Sequence, residues 1–297
     1  MARPALPLAV ALATLVTACA TPGALVMPQL PTNVPDPGPR ERIRVVTYNL
    51  HWHRIEPGPR SAAILAELMA ADADVIALQE VGTWFAEALA ASGFCQAGGY
   101  AATSIEGETL APSRLLLLTR FPVRSTLVKR LVRGERSVVI TKLQVNGRPI
   151  AVANVHLSSR LTQKKLRTEQ LREVLSLLGD DEAILLGDFN FGDGDEPESS
   201  TIPASFVDSW RKVNAGDPGL TWNREANTWA NRNSYDGEPS RRIDRILIRS
   251  SRLEPEEARM LGLAPAPFAD GRHPSDHFGV VTTIRDAGPT IPAPRDL

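Results

Sequence analysis

Between residues 42 and 81 the chain passes from one short apolar run to another through a segment of helical spacing, and that order limits the possible folds more than any other feature. "RIRVVTYNL" (42–50) and "DVIALQEV" (74–81) have the length and branched composition of strands. Between them "RSAAILAELMAADA" sets Ile64, Leu65, Leu68 and Met69 on one helical stripe. A strand, helix, strand opening of this kind starts a layered α/β arrangement.

The same alternation continues. "TWFAEALAAS" reads as a helix ended by Gly93, and "SRLLLLTRFPV" as a buried strand closed by Pro122. "SVVITKLQVNGRPIAVANVHL" reads as a hairpin turning at Asn146-Gly147, the strongest short hairpin signal. "TQKKLRTEQLREVLSLLG" aligns Leu166, Gln170, Leu171, Val174, Leu175 and Leu178 on one face and stops at Gly179. A strand at 183–188, an irregular tryptophan-containing stretch, and strands in "RRIDRILIR" and "DHFGVVTTIR" complete the pattern. It predicts one layered α/β sandwich over residues 41–286, followed by a loose tail, 287–297.

The first 19 residues, "MARPALPLAVALATLVTAC", combine an early arginine, an apolar stretch too short to span a bilayer, and small residues before Cys19. "LVTAC" resembles the lipobox of bacterial lipoproteins. On that resemblance residues 1–18 are a signal peptide and Cys19 carries the lipid. Residues 19–40 are then a proline-rich tether holding an exported protein to the cell envelope. With Cys19 modified, Cys95 has no intrachain partner and serves as small apolar filler, so a disulfide framework is excluded.

A net charge of −1 in 297 residues gives no global signal for a polyanion, so any such site is local. The basic stretches "VKRLVRGER" and "RLTQKKLR" read as solvated faces. Nothing in the sequence points away from a monomer.

The anomalies are polar residues at the ends of apolar runs. They are Asn49, Glu80, His156, Asp188, Asn190, Asp244, and the pair Asp276 and His277. Each has an ordinary explanation: Gly187, Asp188 and Asn190 as turn formers, Glu80 as a cap for a helix beginning near Gly82, Asp244 as a partner of Arg242 or Arg245, and His156 as a core histidine. Their joint occurrence is harder to explain that way, because strand-end loops are where α/β proteins carry reactive groups.

The ordered set "TYNL", "QE", "NVHL", "GDFN", "IDRI" and "SDH" resembles the endonuclease/exonuclease/phosphatase superfamily of metal-dependent phosphodiesterases, over residues 42–283. "HLSSR", "FVDSW", "LTWN", "RRIDRILIR" and "HPSDHFG" are similar to its 5′-tyrosyl-DNA phosphodiesterase branch. The resemblance implies a four-layered, deoxyribonuclease-like α/β sandwich, two packed mixed β-sheets flanked by helices. It also implies hydrolysis of phosphodiester bonds, most naturally in nucleic acid, single-stranded or with a blocked 5′ end.

On the same resemblance, Glu80 and Asn49 hold Mg²⁺, with Mn²⁺ an alternative, and Asp276 serves a second metal position. Asp188 orients or deprotonates the attacking water and Asn190 fixes a phosphate oxygen. His277, its other nitrogen held by Asp244, and His156 face the scissile phosphate. Which of Asp188, His156 and His277 is the base stays open. Trp222, Arg160 and His51 are candidates for substrate contact, with His53, Trp52 and Trp229 nearby; His273 reads as a loop residue. A lipid or inositol phosphate hydrolase on the same scaffold, and a binding lipoprotein that has lost the chemistry, are the competing functions.

Overall fold

The computed structural model describes residues 30–103, 113–133, 136–265, 268 and 272–288. The signal segment, Cys19, the first part of the tether and the end of the tail lie outside the described residues. The described residues form two packed six-stranded sheets flanked by helices, the expected four layers.

The first sheet joins β1 (Arg42–Asn49), β2 (Val75–Gln79), β3 (Ala101–Thr103), β4 (Leu116–Thr119), β11 (Leu253–Leu261) and β12 (Gly279–Asp286) in the order β11-β12-β1-β2-β4-β3. The second joins β5 (Val123–Arg130), β6 (Ser137–Val145), β7 (Arg148–His156), β8 (Ala183–Asp188), β9 (Val207–Asp208) and β10 (Asp244–Arg249) in the order β5-β6-β7-β8-β10-β9. Each sheet has one parallel pair built by a helical crossover. β1 and β2 are joined by α1 (Pro57–Ala71), and β7 and β8 by α4 (Lys164–Leu178). All other pairings are antiparallel.

The inner faces bury Val45, Val75, Leu117, Val152, Ile184, Leu186, Ile246 and Val280 against one another. The outer face of the first sheet packs on α1, α2 (Thr83–Ala91) and α3 (Phe94–Gly98), where Cys95 is buried as expected and burial pushes its thiol up to about 12. The outer face of the second packs on Leu171, Val174 and Leu178 of α4. Between the sheets, the buried Asn154 donates to the carbonyls of Leu78 and Leu116 at 3.1 Å and accepts from Gln79 at 2.8 Å. A polar link inside an apolar core fixes the register of one sheet on the other, because any slip would leave these groups unpaired.

Several boundaries differ from the sequence reading. The Asn146-Gly147 turn is as expected, both residues having positive φ (50° and 77°). Asn146 also grips the entering chain, accepting from Arg40 N and donating to its carbonyl. Strands β5 and β11 were not foreseen. Both are edge strands; β5 is mostly exposed, and β11, though it turns Leu253, Ala258, Met260 and Leu261 inward, carries Pro255 and a register shift beside it. The last strand starts at Gly279 rather than Asp276, so Asp276 and His277 sit in the loop before it. "RLTQKKLR" is not wholly a solvated face: Arg167 is buried, paired with Glu198 at 2.8 Å and bonded to the carbonyls of Ser158 and Arg160.

Candidate active site

The site lies where the parallel strands of both sheets end. Asn49 closes β1, Glu80 follows β2, His156 closes β7, Asp188 closes β8, and Asp244 opens the antiparallel β10 opposite Asp188. Carboxyl ends of parallel strands are where open α/β sheets expose their loops, so the polar residues converge because of topology. Glu80, His156 and Asp188 line a cavity of about 330 Å³ with His51, Trp52, His53, Ser159, Asn190, Trp222, Tyr235, Asp276 and His277 among its walls, while Asn49 and Asp244 stand fully buried behind it.

Local backbone geometry explains why these residue types stand there. At Gly187 φ is 138°, and a Cβ would lie 2.0 Å from the Val155 carbonyl oxygen, so only glycine lets β8 reach the site against β7. This is the reason for the glycine in "GDFN". Asn190, Glu80 and His51 all have positive φ (55°, 53° and 55°). Non-glycine residues adopt that conformation at a cost, and such strain clusters at functional sites.

Asp188 is at the centre. Its Oδ2 accepts from Asn49 Nδ2 at 2.9 Å and its Oδ1 from the Asn190 backbone N–H at 2.9 Å. His156 Nε2 stands 3.4 Å from the same Oδ2 and His277 Nε2 stands 3.8 Å away. Burial, and then the neighbouring carboxylate of Asp244, push Asp188 well above the usual carboxylate range. A carboxylate so placed accepts a proton readily.

The two imidazoles differ in state. His277 Nδ1 donates to Asp244 Oδ2 at 2.8 Å. Burial works against the charged ring, but Asp244 and Asp188 lift it well above the usual histidine range, so it is an imidazolium with Nε2–H facing Asp188. Asp244 therefore partners His277, not Arg242 or Arg245, and the indole of Trp222 packs edge-on to that ring at 4.9 Å. His156 is neutral: burial lowers it well below the usual range, and the guanidinium of Arg136 lowers it further. That guanidinium has only donors and lies 3.1 Å from His156 Nδ1, so Nδ1 is the acceptor and the proton sits on Nε2. His156 thus presents a donor to the cavity and has no lone pair there to act as a base. In ¹⁵N NMR we expect a neutral Nε2–H tautomer at pH 7. Arg136→Leu should raise the pKa of His156 and admit the Nδ1–H tautomer; an unchanged ring spectrum would contradict the assignment.

Glu80 is held on one side only. Its Oε2 accepts from Trp52 N–H at 3.1 Å, while Oε1 is 3.8 Å from His156 Nε2 and otherwise faces the cavity. It does not cap α2, whose first cap position is Gly82. Asp276 is more fully engaged. Its Oδ2 accepts from Asn233 Nδ2 at 2.8 Å and lies 3.0 Å from His51 Nδ1, and its Oδ1 is 4.0 Å from His277 Nε2. Burial opposes ionisation, but the His51 contact and His277 hold Asp276 below the usual range. Asn190 donates its side-chain amide to the Leu157 carbonyl at 2.9 Å while still bordering the cavity.

Of the other expected residues, His51 and Trp222 border the cavity, whereas Arg160 is exposed just beyond Ser159 and outside the lining. Trp229 is buried against Arg60 and His51, a packing role that leaves no face for substrate. His273 is buried, its ring nitrogens 3.0 and 3.1 Å from the carbonyls of Gly262 and Ala226. Sequence reasoning missed Arg136, Asn233 and Tyr235. Asn233 closes the short helix α5 (Thr228–Asn233) and Tyr235 follows it, and Asn227 caps the start of that helix while also bonding the Ser275 carbonyl.

The sequence model described as the Endonuclease/Exonuclease/phosphatase family matches residues 46–277. Tyrosyl-DNA phosphodiesterase 2 of Danio rerio is 29% identical over 159 residues, which cover 50% of this chain and 42% of that protein. The Bos taurus protein of the same name is 26% identical over 160 residues, with the same coverage. The chain thus spans less than half the length of these curated relatives. The structure of D. rerio TDP2 complexed with single strand DNA product superposes with a TM-score of 0.69 at 22% identity, covering 83% of this chain and all of that one. The human nocturnin catalytic domain with bound sulfate anion gives 0.62 at 19% identity, covering 83% and 95%.

Proposed function

From the premise that this chain belongs to the endonuclease/exonuclease/phosphatase family, we propose that it is a divalent-metal-dependent phosphodiesterase acting on nucleic acid, single-stranded or with a blocked 5′ end. The observation that carries this is the facing of an Asp244–His277 imidazolium, a proton-accepting Asp188 and an open Glu80 carboxylate across one cavity.

The donor set fits a hard cation. Glu80, Asp188 and Asp276 would repel a phosphodiester anion, so the cavity needs positive charge beyond one imidazolium. Asp188, Asp244 and His277 bring ligand-type atoms within 4.8 Å of one another, but His277 is protonated on Asp244 and repels a cation. Glu80, with an open oxygen, is the better ligand, while Asn49, whose Oδ1 already accepts from His51 N–H at 3.0 Å, can add only its remaining lone pair. One or two carboxylates with water suit Mg²⁺, or Mn²⁺. Asp276 is occupied by His51 and Asn233 and is better suited to holding His51 than to a second metal. When bound, the cation neutralises charge on the phosphoryl oxygens.

The chain's own groups supply the rest. Asp188 takes a proton from the attacking water while Asn49 and Asn190 hold its carboxylate in place. His277 and His156 each direct an Nε2–H toward the phosphoryl oxygens, one charged and one neutral. Asp244 fixes the tautomer and charge of His277.

Hydrolysis by the purified chain, with Mg²⁺, Mn²⁺ or chelator, on DNA, RNA, a 5′-phosphotyrosyl oligonucleotide and a phospholipid head group tests this reading. Metal-dependent release of nucleotide or tyrosine, lost in Glu80→Gln, is expected; cleavage of the lipid substrate alone would sink the nucleic-acid assignment.

We further propose that the protein is exported and held, as a monomer, on the bacterial cell envelope by a lipid on Cys19. Among the described residues no helix is long and apolar enough to cross a membrane. Cys19→Ser should move the protein from the membrane fraction to the soluble one, and unchanged partition would remove the anchor.

A further inference from the structure

Arg114 stands just before β4, at the end of the first sheet that carries Glu80, and its carbonyl accepts from Val81 N–H at 3.0 Å. Its guanidinium lies 4.0 Å from the ring centroid of Trp52, and the His53 imidazole stacks on the same indole at 4.0 Å and 27°. Trp52 thus holds both groups against its indole. Trp52 borders the cavity and is 43% exposed, and with these two groups stacked on it the indole acts as a brace for them. It is fixed at both ends of its peptide unit, donating N–H to Glu80 Oε2 at 3.1 Å and accepting from Trp84 Nε1 at 3.0 Å.

The braced guanidinium has no carboxylate partner among the described residues, and the cavity lining contains neither lysine nor arginine. A planar fork of N–H donors, held against a residue of the cavity wall though not itself in the lining, suits a phosphate bidentately and loses little entropy on binding. We propose that Arg114, braced by Trp52, is a subsite for a second phosphate of the substrate, adjoining the scissile one. This rests on the phosphodiesterase reading and deepens it to a preference for substrates carrying at least two phosphates. The next phosphodiester of a polynucleotide and a phosphate on a polyphosphorylated head group share that chemistry.

Arg114→Ala and Arg114→Lys should be compared with the wild type on three substrates, after thermal melting has shown all three proteins folded. These are bis(4-nitrophenyl) phosphate and the thymidylate TpT, each with one phosphate, and TpTpT with two. We expect Arg114→Ala to lower kcat/KM about 10-fold on TpTpT and less than about 2-fold on the others, Arg114→Lys to recover part of the loss, and the salt dependence on TpTpT to flatten by roughly 0.7 in log–log slope. Equal losses on all three, or none, would overturn the subsite. If the wild type cleaves the aryl ester and neither nucleotide, the nucleic-acid reading fails. The subsite is then judged on glycerophosphoinositol against its 4-phosphate: a loss confined to the 4-phosphate upholds it and an equal loss overturns it.

Discussion

Asp188→Asn should lower kcat by about 10³-fold or more while raising the melting temperature of the metal-free protein. General-base catalysis contributes roughly 10²–10⁴ on its own, and the amide also ends the charge interaction with the two Nε2–H donors. Geometry survives better than in Asp188→Ala, because the new side chain can keep an oxygen toward Asn190 N–H, although its Nδ2 then faces the donors of Asn49, His156 and His277, which offsets part of the stability gain. The stability gain follows from the surroundings of the carboxylate. Asp188 is fully buried beside Asp244, and its pKa in the folded state is raised above the unfolded value. A raised carboxyl binds more protons folded than unfolded, so its contribution to stability is largest below the unfolded pKa and falls as pH rises through the folded one. Above that window the ionised group destabilises the native state, and the uncharged amide removes the penalty. At pH 8 the shift should be a few degrees upward, at roughly 2–4 °C per kcal/mol for a domain of this size. Excess Mg²⁺ should narrow the difference, since a cation also relieves the ionised carboxylate. Single-turnover kinetics and calorimetry read both effects. An inactive but less stable variant would mean that Asp188 is a structural group, and full activity would move the base elsewhere.

What could be read in advance divides along one physical line. Asn49, Glu80, His156, Asp188 and Asp244 were visible because each interrupts an apolar run at its end, where a strand buried on both faces most readily carries polarity. Residues that act on those groups from other elements left no such trace. Arg136 sits in a basic stretch whose other members are exposed or only partly buried, and its hold on His156 arises from the pairing of β6 with β7. Asn233 closes, and Tyr235 follows, a six-residue helix too short to show a period. The edge strands β5 and β11 hid for different reasons: β5 has mostly solvent-facing side chains and so no inward alternation to display, while in β11 the register shift beside Pro255 breaks the alternation.

Arg60 is the clearest case of a residue whose role its own segment conceals, and Arg60→Met should cost about 4 kcal/mol of stability. In the sequence it is the polar start of an amphipathic helix. In the structure it is fully buried, with Nε donating to Pro274 O at 2.9 Å, Nη1 to His53 O at 2.6 Å, and Nη2 to the carbonyls of Leu50 and His51 at 2.5 and 2.8 Å. The indoles of Trp84 and Trp229 lie against it at 4.4 and 4.8 Å. Burial lowers its pKa to about 10, and the protein nevertheless keeps it charged at pH 7 with carbonyl dipoles and aromatic faces in place of a carboxylate ligand. Methionine fills much of the volume but donates nothing, leaving buried carbonyls unpaired at roughly 1–3 kcal/mol each, partly relieved by relaxation or entering water. A fall of about 8–16 °C in the melting temperature corresponds to the predicted loss. The same bonds join the 50–53 loop to the 274–277 loop, the two segments that bring His51 to Asp276. Surviving folded Arg60→Met should therefore show a larger loss of turnover than Tyr100→Phe, which removes a buried hydrogen bond to the Ala73 carbonyl far from the site. A melting change under 3 °C with normal turnover would show that the loops hold their positions without the guanidinium.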